Sequence, residues 1–130
     1  MSKDLITVDL TDPIQEVMNV FEQIRIKHVP VMANGTLVGI ISQSDVSRLS
    51  FGSKLMDDQT ETDTSILEMI SVNQVMKPNP VTIGVTHSIK EAAEIFTRST
   101  FHALPVTENN ELVGIVTTTD LIKYMLKLSE

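Results

Sequence analysis

The chain has 130 residues, of which 42% are hydrophobic and 21% charged, with a formal net charge of −7 and no cysteine. That composition fits a soluble globular domain, or two small halves sharing a core, and excludes a disordered chain. It also excludes a disulfide framework, a thiolate metal site and a cysteine nucleophile. No apolar run approaches the roughly 18 residues that cross a bilayer, so no membrane insertion is expected. Met1-Ser2-Lys3-Asp4 lacks the apolar stretch of a secretory signal, and a cytoplasmic location is the expectation. The ten Lys and Arg residues are scattered with no two adjacent, and there is no Trp and one Tyr. A protein that coats nucleic acid needs a basic stripe or stacking aromatics, so no nucleic-acid partner is expected.

In chain order, Leu5-Ile6-Thr7-Val8 is a short β-rich run. Thr11 or Asp12 then reads as the cap of a helix with Pro13 in its first turn, where a missing N–H costs nothing. Ile14, Val17, Met18, Phe21 and Ile24 follow at helical spacing and make one apolar stripe. Val29 to Met32 is a strand, Asn34-Gly35 a hairpin turn, and Leu37 to Ile41 a further strand. Asp45 opens a second helix. Residues 50–71 read as a linker: polar and acidic around Asp57 to Asp63, then apolar enough at Ile66 to Ile70 to dock as a helical turn or two. The same series then returns as Val81 to Ile83, Ile89 to Phe96, Leu104 to Val106, a turn at Glu108-Asn109-Asn110, Leu112 to Val116, and a helix from Asp120.

The return is a duplication. Leu37-Val38-Gly39-Ile40-Ile41 reappears as Leu112-Val113-Gly114-Ile115-Val116, at an offset of 75 positions. Pro30-Val31 and Pro105-Val106 keep that offset, as do Asp45 and Asp120, Phe21 and Phe96, Glu16 and Glu91, and Thr11 and Thr86. A collinear set of matches from Ile6 to Leu49 without a gap marks one unit written twice. A single copy is too small to bury much apolar surface, whereas two copies can bury their stripes against each other. The divisions are 1–49 for the first repeat (its lead-in missing), 50–71 for the linker and 72–130 for the second repeat. Met18, Met69, Met76 and Met125 read as core or interface filler.

Two segments in each copy carry candidate chemistry. At the end of the third strand stand Ser42, Ser44 and Asp45 in one copy and Thr117, Thr119 and Asp120 in the other. A strand that runs into a helix there presents backbone N–H groups and a positive helix end. Asp120 or Asp45 can accept hydrogen bonds from a vicinal diol, and the hydroxyls can serve phosphate or sugar. Simple helix capping uses the same residue types, and both roles can fall to one residue. Before each Pro-Val lie Ile26, Lys27 and His28, and Phe101, His102 and Ala103. Lysine supplies a point charge and histidine a pH-dependent donor, although a lone histidine beside a strand is often structural.

The doubled pattern of Thr-h-x (h, apolar), helix, h-Pro-Val, Asn-Gly turn and Leu-Val-Gly-Ile-h-Ser/Thr-x-x-Asp resembles the cystathionine-β-synthase-type (CBS) domain family, whose paired form is the Bateman module. The likeness covers both halves, and Val-Met-Lys-Pro-Asn-Pro-Val-Thr at 75–82 resembles the lead-in that opens such a domain. It implies an α/β (α+β) fold of two pseudo-twofold-related β-α-β-β-α repeats packed through their sheets, with two clefts. In that family a cleft combines the aspartate of one copy with the pre-proline segment of the other. The resemblance therefore implies Asp120, Thr117 and Thr119 facing Ile26, Lys27 and His28, with His102 near a phosphate. Ser42, Ser44 and Asp45 would face Phe101, His102 and Ala103, with Asp12 and His87 close to the base. The Asp120 cleft is favoured for anions, because three basic side chains can converge there. No arginine stands at these positions, which favours a monophosphate or uncharged nucleoside derivative over a polyphosphate.

The function that follows is a regulatory module, not an enzyme. The resemblance implies no required cofactor and a ligand of the AMP, ADP, ATP or S-adenosylmethionine type. The ligand would shift the two halves or order residues 50–71, and a partner protein would read the change. Homodimerisation through helical faces that include Tyr124, Met125 and Leu128 is expected. The rival reading is a constitutive homodimerisation scaffold with vestigial clefts. Catalytic and metal chemistries lack a fingerprint: the glycines at 35, 39, 52, 84 and 114 form no phosphate loop, and His28, His87 and His102 lack metal-ligand spacing.

Overall fold

A computed structural model describes residues 5–48 and 69–129, which fall into two compact units, one spanning Ile6–Asn79 and the other running on from Pro80. The first unit contains β1 (Val8–Asp9), α1 (Ile14–Gln23), β2 (His28–Ala33), β3 (Thr36–Ser42), helical residues 43–48 (α2), α3 (Val72–Val75) and β4 (Lys77–Pro78). The second contains β5 (Ile83–Gly84), α4 (Ile89–Thr97), β6 (Ala103–Glu108), β7 (Glu111–Thr117) and α5 (Thr118–Leu128). The fold is α+β with two sheets, and the expected β-α-β-β-α series occurs in both.

Parallel neighbours need a crossover, and the amphipathic helix supplies it: β1 pairs with β2 across α1, and β5 with β6 across α4. The hairpins β2–β3 and β6–β7 have matching registers, with Val31 opposite Gly39 and Val106 opposite Gly114. Their turns also match. Asn34 and Gly35 have φ of 52° and 78°, and Asn109 and Asn110 have 52° and 68°. A two-residue turn with both central residues at positive φ follows the twist of the strands, so Asn110 takes the place glycine holds in the first copy. The outer strands are shorter than the sequence implies, two residues each at Val8–Asp9 and Ile83–Gly84.

Each unit has its own core. In the first, Ile14 and Val17 from α1 meet Val29, Val31 and Ile41 from the sheet, all fully buried, together with Val46 and Val72. Burying side chains of that size stabilises by about 1.5–3 kcal/mol each. Ile24, expected on the same helical stripe, lies beyond the end of α1 and is exposed. The second core is built on Ile83, Ala92, Leu104 and Val106, with Phe96 and Phe101 packed edge-to-face at a centroid distance of 6.4 Å.

The start of α1 departs from the sequence reading. Neither Thr11 nor Asp12 caps it; Pro13 holds the N-cap position without a side-chain hydrogen bond. The Ile14 amide instead donates to the carbonyl of Ile70 at 2.8 Å, and Val72 N donates to Asp12 O at 2.8 Å. A distant segment thus satisfies the orphan donor that a cap would otherwise take. In the second copy Ser88 stands where Pro13 does, and its hydroxyl accepts from Glu91 N at 3.1 Å, an ordinary cap. Residues 72–78, assigned by sequence to the opening of the second repeat, build onto the first unit: Val72 enters its core and β4 pairs with β3. Met18 and Met76 pack against this core as expected, whereas Met69 and Met125 are exposed. The acidic stretch Asp57 to Asp63 and most of the predicted linker lie outside the described residues.

Candidate functional site

The strand-to-helix junction is built the same way twice. Thr117 ends β7 and caps α5: its Oγ1 accepts from Asp120 N at 3.1 Å, and Asp120 Oδ2 accepts from Thr117 N at 2.9 Å. Ser42 and Asp45 repeat the exchange at 3.1 and 3.0 Å. This reciprocal pair satisfies two orphan donors at once, so the capping role is real at both positions. It uses only one oxygen of each carboxylate.

The fate of the other oxygen divides the copies. Asp45 is buried, its side chain 5% exposed, and its Oδ1 lies against Arg48 Nη2 and 3.8 Å from Lys77 Nζ. A charge withdrawn from water is costly unless paired, and these two cations pair it. Asp120 is half-buried and makes no ion pair among the described residues; Lys123, at the place Arg48 holds, does not reach it. Ser44 and Thr119, each in the first turn of its helix, are exposed.

Hairpin register brings each copy's own pre-proline segment beside its junction. His28 lies opposite Ser42, and Ala103 opposite Thr117. Lys27 O accepts from Gln43 N at 2.8 Å, and His102 O from Thr118 N at 3.0 Å. The side chains of Lys27 and His102 are exposed, His28 is half-buried, and Ala103 is buried. Ile26 packs against the first core and Phe101 against the second.

Asp12 and His87, at matching positions, share a structural task. Asp12 Oδ2 accepts from Asp9 N at 2.9 Å, and His87 Nδ1 accepts from Gly84 N at 2.9 Å. Each thus fastens the short outer strand to the start of the following helix. His87 Nε2 also lies 3.6 Å from Glu91 Oε2. In the first copy the loop is tightened further by Thr11, whose hydroxyl and amide both donate to Asp9 Oδ2. Those bonds, the hydroxyl's foremost, hold the Asp9 carboxyl below its ordinary pKa.

Sequence reasoning missed Arg48 and Lys77. Arg48 stands at helical spacing from Asp45, a pattern that could have flagged it. Lys77 carries no such signal, because only the pairing of β4 with β3 brings it near.

Comparison with known proteins agrees with this architecture. The CBS domain family profile matches residues 1–52 and 72–127. A CBS domain-containing protein of Dictyostelium discoideum is 33% identical over all of this chain and 90% of its own length. The inosine-5'-monophosphate dehydrogenase of Korarchaeum cryptofilum is 31% identical over 92% of this chain, which spans only 22% of that enzyme. Among solved structures, CBSX2 of Arabidopsis thaliana in complex with AMP superposes with a TM-score of 0.77 at 21% identity, covering 97% of this chain and 90% of that one. Two repeats of this kind define a tandem CBS protein. The chain belongs to the CBS domain family.

Proposed function

We propose that the chain is a regulatory module that binds an adenosine-type ligand at the Asp120 end of its second repeat and signals to a partner protein. The observation that carries the reading is the second carboxylate oxygen of Asp120, which lies outside the capping hydrogen bonds and bears no cation among the described residues. A ribose diol can donate to that oxygen, while the Thr117 and Thr119 hydroxyls serve sugar or phosphate. His102, whose carbonyl accepts from Thr118 N at 3.0 Å, belongs to the same repeat and can serve an anionic group. The AMP complex of CBSX2 supports this choice of ligand class. Regulation requires that the ligand prefer one conformation over another, since tight binding alone shifts nothing.

Titration calorimetry with AMP, ADP, ATP and S-adenosylmethionine tests the proposal. One of them should bind, and Asp120→Ala should weaken it by about tenfold or more, the worth of a hydrogen bond to a charged group. Unchanged affinity in the variant, or no binding by any of the four, would overturn it.

A second reading, a homodimerisation scaffold, rests on α5. Ile122, Met125, Leu126 and Leu128 are 57–68% exposed, and Ile122, Met125 and Leu126 recur at helical spacing. That reading predicts a dimer by light scattering and no thermal shift with any nucleotide.

A further inference from the structure

The two copies are written alike, yet their aspartates are not equally available. Asp45 has both oxygens engaged: Oδ2 accepts from Ser42 N at 3.0 Å, and Oδ1 faces Arg48 and Lys77. Arg48 comes from the same helix, whereas Lys77 comes from β4, whose backbone is fixed opposite Ile40. A diol approaching Asp45 would have to displace two cations from a side chain that is 5% exposed. Removing those cations without replacement would strand a charge in a poorly hydrated site. At Asp120 the corresponding oxygen is unencumbered among the described residues.

We propose that Asp45 is an internal ion-pair anchor that ties the 77–78 strand to the first repeat, and that each chain consequently takes up one adenosine-type ligand, at Asp120. This rests on the function proposed above, and it adds the stoichiometry and the residues that set it. Arg48 and Lys77 act as built-in occupants of the first repeat's carboxylate. They are themselves 69% and 61% exposed, so each can be replaced without opening the core.

Two measurements on the intact chain test the inference separately. The first is a melting cycle without ligand, comparing Asp45→Asn in the wild type and in Arg48→Gln/Lys77→Gln. Neutralising Asp45 should lower Tm in the wild type, and should leave it unchanged or raise it in the double variant, where the carboxylate has lost its partners. Equal losses in both backgrounds would overturn the anchor; Lys77→Gln alone provides the same comparison if the double variant does not fold. The second is calorimetry with AMP and, where AMP does not bind, with ADP, ATP and S-adenosylmethionine. The wild type should take up one equivalent, Asp120→Ala should weaken that uptake by about tenfold or more, and Arg48→Gln/Lys77→Gln should add a second equivalent. Two equivalents in the wild type, or one in both proteins, would overturn the closure by these cations. If no variant binds any of the four, the nucleotide reading falls, and the melting cycle still decides the role of Asp45.

Discussion

Gly39→Ala is the substitution whose consequence can be worked most fully from the structure. A Cβ at Gly39 would lie 2.4 Å from Met76 Sδ and 3.0 Å from the backbone oxygen of Lys77. Ordinary contacts between such atoms are about 3.5–4.0 Å, so the thioether must retreat by over about 1 Å. A methionine side chain can swing away, but the Lys77 carbonyl belongs to β4, which pairs with β3 at Gly39 and Ile40. Overpacking of this kind costs about 1–3 kcal/mol, offset by about 0.4–1 kcal/mol from the stiffer unfolded chain. A net loss of about 1–2 kcal/mol corresponds to a fall in Tm of roughly 4–8 °C for a chain of this size. Differential scanning calorimetry reads it, with Gly84→Ala as the control. There the nearest atom is His87 Nδ1 at 3.3 Å, which need give only a few tenths of an ångström and can keep its bond from Gly84 N, so the loss should be under half as large. Met76→Ala should also cost less in the Gly39→Ala background than in the wild type, because there removing the thioether relieves the clash. A neutral or stabilised Gly39→Ala would refute the docking of residues 76–77 over β3.

Two further outcomes follow from local geometry. Thr11→Val removes the hydroxyl that chiefly lowers the Asp9 pKa, so a carbon-detected NMR titration should show that pKa rising toward its ordinary value. Because the folded-state pKa is depressed, the stabilisation is present above the ordinary carboxylate value of about 4 and is lost as pH falls through the lowered one. The Tm gap between wild type and variant should narrow accordingly in acid, and a gap independent of pH would contradict the assignment. Ser88→Ala removes the cap of α4 and should cost about 1 kcal/mol by urea denaturation. Pro13→Ala in the first copy should show no comparable loss of a cap, since Pro13 contributes no side-chain hydrogen bond.

Much of this was legible from residue order. The offset of 75 positions located both hairpins, because Asn34-Gly35 and Asn109-Asn110 tolerate the positive φ that short turns demand. The helical stripes located α1 and α4 for the same reason of periodicity. What escaped the sequence reading depends on contacts between residues far apart in the chain. Pro13 at an uncapped N-terminus makes sense only with Ile70 O in place, and Gly39 only with Met76 and Lys77 lying over it. The site was half legible in the same sense. Ser/Thr-x-x-Asp announced both the cap and the carboxylate, but the burial of Asp45 under Arg48 and Lys77 depends on the tertiary path of β4. Asp12 and His87, expected from the resemblance to lie close to a base, make hydrogen bonds to Asp9 N and Gly84 N that give them a structural task residue type alone did not disclose.

The assignment of ligand binding to Asp120 is tested most directly by an amide NMR titration of the whole chain with AMP. Resonances of Thr117, Thr118, Thr119 and Asp120 should move saturably, while those of Ser42 to Asp45 stay near their starting positions. Shifts centred on Ser42 to Asp45 would contradict it, as would a spectrum left unchanged by AMP, ADP, ATP and S-adenosylmethionine alike.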